Sequence, residues 1–167
     1  GGERALGDKC ALPSSLYTGV RYKPLLTGGM ALLAGGAMPL AFAPVGWAWL
    51  AVIALATFFV LTAQSSRRQA LWSAYLFGLG YFGVGVSWVF ISISQYGNGP
   101  VVAVLVTAAF VSLLALFPWG VAYLVRCLRP EMDAMALWLG LPAAWVLSEW
   151  MRTWFLTGFP WLFIGYS

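Results

Sequence analysis

RRQALWSAYLFGLGYFGVGVSWVFISISQYGNGPVVAVLVTAAFVSLLALFPWGVAYLVRCLR, residues 67–129, decides the fold. Arg67 and Arg68 open the stretch and Arg126 and Arg129 close it, with no charge from Gln69 to Val125. A helix of ~20 residues at ~1.5 Å rise crosses a ~30 Å hydrocarbon core, so this run holds two spans, one leaving and one returning. The uncharged, turn-forming residues 95–100 (QYGNGP) divide them. Toward the N-terminus the pattern repeats: Arg21 and Lys23, then no charge from Pro24 to Ser66. The basic clusters therefore fall on one side, which is the positive-inside pattern of a polytopic membrane protein.

Composition agrees. Hydrophobic residues make up 62% of the chain and charged ones 8%, against roughly 25% charged in a soluble domain. So few charges cannot cover the surface of a water-soluble fold of this length, and lipid is the expected solvent. The net charge of +4 sits in separated loops rather than a stripe. It is topology information and a modest attraction to anionic headgroups, and it does not mark a nucleic-acid surface. The absence of histidine excludes a His-based triad and a His-ligated metal.

Residues 1–23 read as a polar, flexible leader, and the apolar run after them is too long for a signal peptide. Residues 24–167 read as one transmembrane domain with spans at about 25–43, 47–63, 70–94, 101–125 and 134–154. The fold class expected is an all-α membrane protein, a polytopic bundle of about five transmembrane helices with a cytoplasmic N-terminus. In the first span Gly28/Gly35 and Gly29/Gly36 recur every seven residues, giving a face on which a neighbouring backbone can approach closely. The third span is longer than a perpendicular helix needs, so it must tilt or bend. Pro118 and Gly120 predict a kink in the last third of the fourth. Cys127 falls in an Arg126–Arg129 loop on the cytoplasmic side, where thiols stay reduced; it reads as a bystander, far from Cys10. The chain stops at Ser167 with an aromatic, irregular end at the outer face, and we expect a longer protein to follow.

Gly78–Leu79–Gly80–Tyr81–Phe82–Gly83 matches the dinucleotide-binding glycine pattern, but the context refutes it. The fingerprint needs a preceding strand and an acidic residue about 20 positions on, and here no Asp or Glu occurs until Glu131. Gly78, Gly80, Gly83 and Gly85 are expected to pack helices. Tyr81, Trp88 and Ser92 share a helical face, which either hydrogen-bonds a neighbouring helix or lines a cavity; for Trp88 and Tyr96 the interfacial aromatic belt competes. Glu149 and Arg152 are the only charges inside an expected span. Three residues apart, they are neighbours on one helical surface. A lone charge at mid-membrane costs ~2.5–3.5 kcal/mol, so they either neutralise each other at a helix end or form a polar pocket able to meet a zwitterionic headgroup. No nucleophile–base pair, metal site or phosphate loop can be assembled, and no cofactor is called for.

Three segments in order, LAFAPVGW (40–47), FGLGYFGVGVSWVFISI (77–93) and EWMRTWFLTGFPWL (149–162), the last followed by Gly165–Tyr166–Ser167, together resemble the N-terminal membrane half of bacterial apolipoprotein N-acyltransferases. The resemblance covers about residues 25–167. It implies eight spans in the bacterial inner membrane and a periplasmic nitrilase-like α/β domain that is missing from these residues. It implies an acyl chain taken from a phospholipid, typically phosphatidylethanolamine, onto a cysteine as a thioester. The chain then passes to the free α-amino group of the diacylglyceryl-cysteine of a lipoprotein. The Glu–Lys–Cys set belongs to the nitrilase-like domain, so no catalytic residue is expected here, neither cysteine is the nucleophile, and the stretch alone is expected to be inactive. Trp161 is the first candidate for lining the substrate path, followed by Glu149, Arg152, Trp88 and Tyr166, with an interface anchor as the competing reading of Trp161. A small transporter or channel-like subunit is the alternative, but it predicts an internal hydropathy repeat that is not found. A non-catalytic membrane scaffold is the third reading.

Overall fold

The computed structural model describes residues 24–42, 44–95, 99–155 and 162–166. The leader 1–23 with Cys10, Tyr96, and the Thr157–Trp161 motif with Trp161 itself lie outside the described residues. Seven α-helices follow one another: α1 (Pro24–Ala37), α2 (Ala48–Gln64), α3 (Arg67–Gly85), α4 (Ser87–Gln95), α5 (Gly99–Leu114), α6 (Leu116–Leu128) and α7 (Leu141–Arg152). No strand occurs among the described residues. The protein is an all-α bundle of membrane type, and its described residues group as α1, α2, the bent pair α3–α4, the pair α5–α6, and α7. Pro24–Ala41 and Gly99–Leu128 are long and apolar enough to cross a bilayer by themselves, and α3 with α4 makes a third if the pair is one broken span. Leucine, valine and tryptophan side chains cover the outside, from Leu25 and Leu33 to Val101 and Trp138. A surface this apolar suits acyl chains and not water.

α1 packs most extensively on α3, and glycine is the reason. A Cβ at Gly35 would overlap the carbonyl oxygen of Phe77, and one at Gly80 would overlap that of Leu32 and lie 2.8 Å from the Gly36 nitrogen. The two backbones touch, which is how helices associate where lipid removes the hydrophobic drive. Gly29 takes no part: it is exposed, with nothing within 4 Å of a Cβ placed on it. A seven-residue period locates a face but does not say which of two adjacent glycine rows meets the neighbour.

Three breaks shape the bundle. α3 and α4 meet at Val86 with a bend of 49°, where Val89 N donates to Val86 O and tightens the turn. The break between α5 and α6 falls at Ala115, one turn before the expected kink. Pro118 has no N–H to give the Leu114 carbonyl, and its ring pushes on that preceding turn. Gly78 of α3 takes advantage of the break, since a Cβ there would sit 2.7 Å from the Ala115 Cα. Before α7, residues Ala136–Gly140 form a π-helical turn in which Leu141 N donates to Ala136 O. Pro142 lies just beyond and withholds its donor from the same stretch. Asp133 starts this last segment, its Oδ1 accepting from Ala136 N at 2.8 Å, a side-chain cap for an otherwise orphan donor.

α6 runs through Leu128, so Arg126 and Cys127 are helical and not loop residues. Arg126 is 7% exposed. Its Nη2 donates to the carbonyls of Thr62 at 2.6 Å and Ala63 at 3.4 Å and to that of Ser65, and its Nη1 to Pro130 O at 3.4 Å. The last carbonyls of a helix have no partner within it, and here a guanidinium from α6 supplies donors to the end of α2. Because charge-assisted hydrogen bonds contribute about 1.5–3 kcal/mol, Arg126→Ala should cost about 2–4 kcal/mol. Arg126→Lys should recover less than half, since an ammonium cannot fork across several carbonyls. Unfolding in mixed micelles measures both.

Candidate functional site

α7 places Trp145, Glu149 and Arg152 on one face through i,i+4 and i,i+3 spacing. Opposite them stand Tyr81 and Phe82 of α3 and Phe117 of α6, and the residues after α7 return against the same spot. Glu149 Oε1 accepts from Trp145 Nε1 at 3.1 Å, from Arg152 Nη2 at 3.4 Å and from the main-chain nitrogen of Ile164 at 3.1 Å. The Tyr81 hydroxyl donates to the main-chain carbonyl of Leu162. Arg152 is 2% exposed, and its guanidinium carbon lies 5.0 Å from the ring centre of Phe163, 5.3 Å from that of Phe82 and 6.0 Å from that of Phe117. Such rings attract a desolvated cation by about 2 kcal/mol. Its Nε and Nη1 have no hydrogen-bond partner among the described residues.

Beneath this node lies an aromatic cluster: Phe58 of α2 at 4.9 Å from Phe77 and 5.6 Å from Trp145, with Tyr81 6.3 Å from Trp145. The cluster fixes Trp145, and Trp145 fixes the carboxylate of Glu149. Beside the node an almost wholly apolar groove of about 440 Å³ runs between α6 and α7, lined among others by Leu116, Phe117, Gly120, Ser148, Met151 and Phe155. Phe117 separates the groove from Arg152 and meets Phe155 edge-on at 5.5 Å. A larger cavity, about 690 Å³, opens far from the node, near Arg68, Trp72 and Trp119. The Ser148 hydroxyl near the node donates to Trp145 O at 2.9 Å. No cluster able to hold a metal occurs among the described residues.

Of the residues singled out from sequence, the structure joins Glu149 to Arg152 and brings Tyr81 to the same node, while Trp161 lies outside the described residues. Trp88 is half-exposed on α4, and the bend at Val86 removes it from the face of Tyr81, which is fully buried. Tyr166 belongs to the short 3-10 turn Ile164–Tyr166. Among the glycines, Gly78 and Gly80 meet backbone, a Cβ placed on Gly83 would find only Val111 Cγ1 at 4.0 Å, and Gly85 faces the side chain of Leu162. Sequence reasoning missed Tyr81 as a partner of Leu162, Trp145 as a donor and Arg126 as a clasp. The Trp145–Glu149 pair carried a usable signal, four residues apart on an otherwise apolar helix. The Tyr81–Leu162 contact, 81 residues apart, carried none.

The family model described as the apolipoprotein N-acyltransferase N-terminal domain matches residues 34–167. The apolipoprotein N-acyltransferase of Methylococcus capsulatus is 46% identical over 149 residues, covering 83% of this chain and 28% of the relative. That of Coxiella burnetii is 43% identical over 141 residues, covering 83% and 29%. That of Vibrio cholerae is 40% identical over 139 residues, covering 82% and 27%. The chain thus spans between a quarter and a third of the length of these curated relatives. The matched region contains the glycine seam, the Glu149–Arg152 node and the returning segment, and on these grounds the chain belongs to the apolipoprotein N-acyltransferase N-terminal domain family.

Proposed function

We propose that these residues form the membrane half of an enzyme that moves an acyl chain from a phosphatidylethanolamine-like phospholipid to the α-amino group of a diacylated lipoprotein's N-terminal cysteine. The observation that carries the reading is the family match over residues 34–167, which includes the Glu149–Arg152 pair. In this reading the five segments cross the bacterial inner membrane from a cytoplasmic N-terminus, and the nitrilase-like domain supplies the nucleophile. A thioester route divides one acyl transfer into two easier steps. The membrane half then has to admit two lipid substrates from the side and present them at the outer leaflet. The α6–α7 groove suits an acyl chain in shape and polarity, and Trp161, Glu149 and Arg152 stand as substrate-path residues, with Trp88 and Tyr166 behind them.

The test is acyl transfer by the full-length protein in phosphatidylethanolamine vesicles, read by mass spectrometry of a diacylated lipopeptide. Gain of one N-linked acyl chain is expected. A peptide that stays diacylated sinks the proposal. Trp161→Ala should lower turnover by about tenfold with membrane insertion intact; unchanged turnover removes Trp161 from the path.

A further inference from the structure

The ion pair explains little of its own surroundings. Glu149 and Arg152 touch through one contact of 3.4 Å, while the same carboxylate oxygen receives two other donors. One of these is the main-chain N–H of Ile164. The carbonyl of Leu162, two residues earlier, is taken by the hydroxyl of Tyr81. Between them Phe163 lies against the Arg152 guanidinium at 5.0 Å. A short irregular segment thus has its donor, its acceptor and its ring each held by a different side chain of the node. Irregular backbone at membrane depth must be satisfied by protein; Glu149 and Tyr81 each satisfy one main-chain group here, and Arg152 holds the ring between them.

Two further observations point the same way. Leu162 has φ 61°, the left-handed region, which is costly for a side chain with a Cβ and persists only where the surroundings over-determine it. Gly85, at the end of α3, has no Cβ because one would overlap the Leu162 side chain. The segment is therefore seated from both its main chain and its side chain.

We propose that Tyr81, Glu149 and Arg152 are positioning residues. They hold Leu162–Ile164 against the bundle, beside the α6–α7 groove that in the acyltransferase reading receives the lipid acyl chain. This rests on the acyltransferase reading for its consequence, but not for its geometry. Arg152 is buried and Glu149 partly buried, and both face the returning segment. The guanidinium, set against three rings, orients the carboxylate.

The experiment uses the full-length protein with Tyr81→Phe and, separately, Gly85→Ala. Tyr81→Phe removes one hydroxyl from the latch and keeps the ring; Gly85→Ala disturbs the latch only through Leu162. Hydrogen exchange of the peptide covering residues 162–164, by mass spectrometry, should quicken by about tenfold in both. The KM for phosphatidylethanolamine should rise about fivefold, while kcat stays within about twofold. Unchanged exchange overturns the latch. Faster exchange with KM unaltered overturns the positioning role. A wild-type protein without acyl transfer sinks the functional reading, and the exchange arms still decide whether the node holds the segment.

Discussion

Gly80→Leu should prevent α1 and α3 from closing and lower the stability of the bundle by about 4 kcal/mol or more, beyond the ~1–3 kcal/mol usual for overpacking. Ordinary overpacking is relieved by a side chain that swings aside. At Gly80 the obstacle is the carbonyl of Leu32 and the nitrogen of Gly36, so relief requires one whole helix to move away from the other. The seam is also continuous: pushing at Gly80 withdraws Gly35 from Phe77 and Tyr81 as well. Gly29→Ala is the internal control. That glycine has open space, and a helical alanine is preferred to glycine by about 1 kcal/mol, so the change should stabilise slightly. Apparent melting temperatures in one detergent decide the matter. If Gly80→Leu melted like the wild type, backbone contact would not be what holds these helices.

Glu149→Ala should cost about 3–5 kcal/mol, because it strands the guanidinium of Arg152 in an apolar interior. The Trp145 ring nitrogen and the Ile164 main chain lose their acceptor at the same time. Replacing both ions, Glu149→Leu with Arg152→Met, removes the stranded charge and should recover stability to within about 2 kcal/mol of wild type, the remainder being two unsatisfied N–H groups. The double variant should still exchange rapidly at residues 162–164. Recovery of stability without recovery of exchange protection separates the energy of the ion pair from its hold on the backbone. If the double variant also restored slow exchange, shape alone would seat the segment.

Charge spacing made the long apolar helical runs legible, since lipid tolerates so few charges that each Arg cluster marks a boundary. The breaks were less so. Pro118 announced a kink, but its effect acts on the carbonyl four residues earlier, which moves the discontinuity to Ala115. The excess length of the third span announced a tilt or bend, but nothing in the sequence put the break at Val86. Arg126 reads as a loop charge in any window of sequence, and only the end of α2, more than sixty residues away, turns it inward. Glu149 and Arg152 were legible as a pair and illegible as a latch. The backbone they bind lies beyond α7, and a main-chain N–H or carbonyl leaves no mark in a residue pattern.

The clasp of Arg126 on the end of α2 has a consequence for how the protein is made. During synthesis the hairpin of α2 and α3 enters the membrane while the carbonyls of Thr62, Ala63 and Ser65 still lack this donor, and it gains that donor only after some sixty further residues have left the ribosome. Until then the glycine seam already joins α3 to α1, while the end of α2 still lacks its donor. Arrival of α6 closes the order of assembly retroactively, so a defect at Arg126 would betray itself as misassembly of helices inserted long before it.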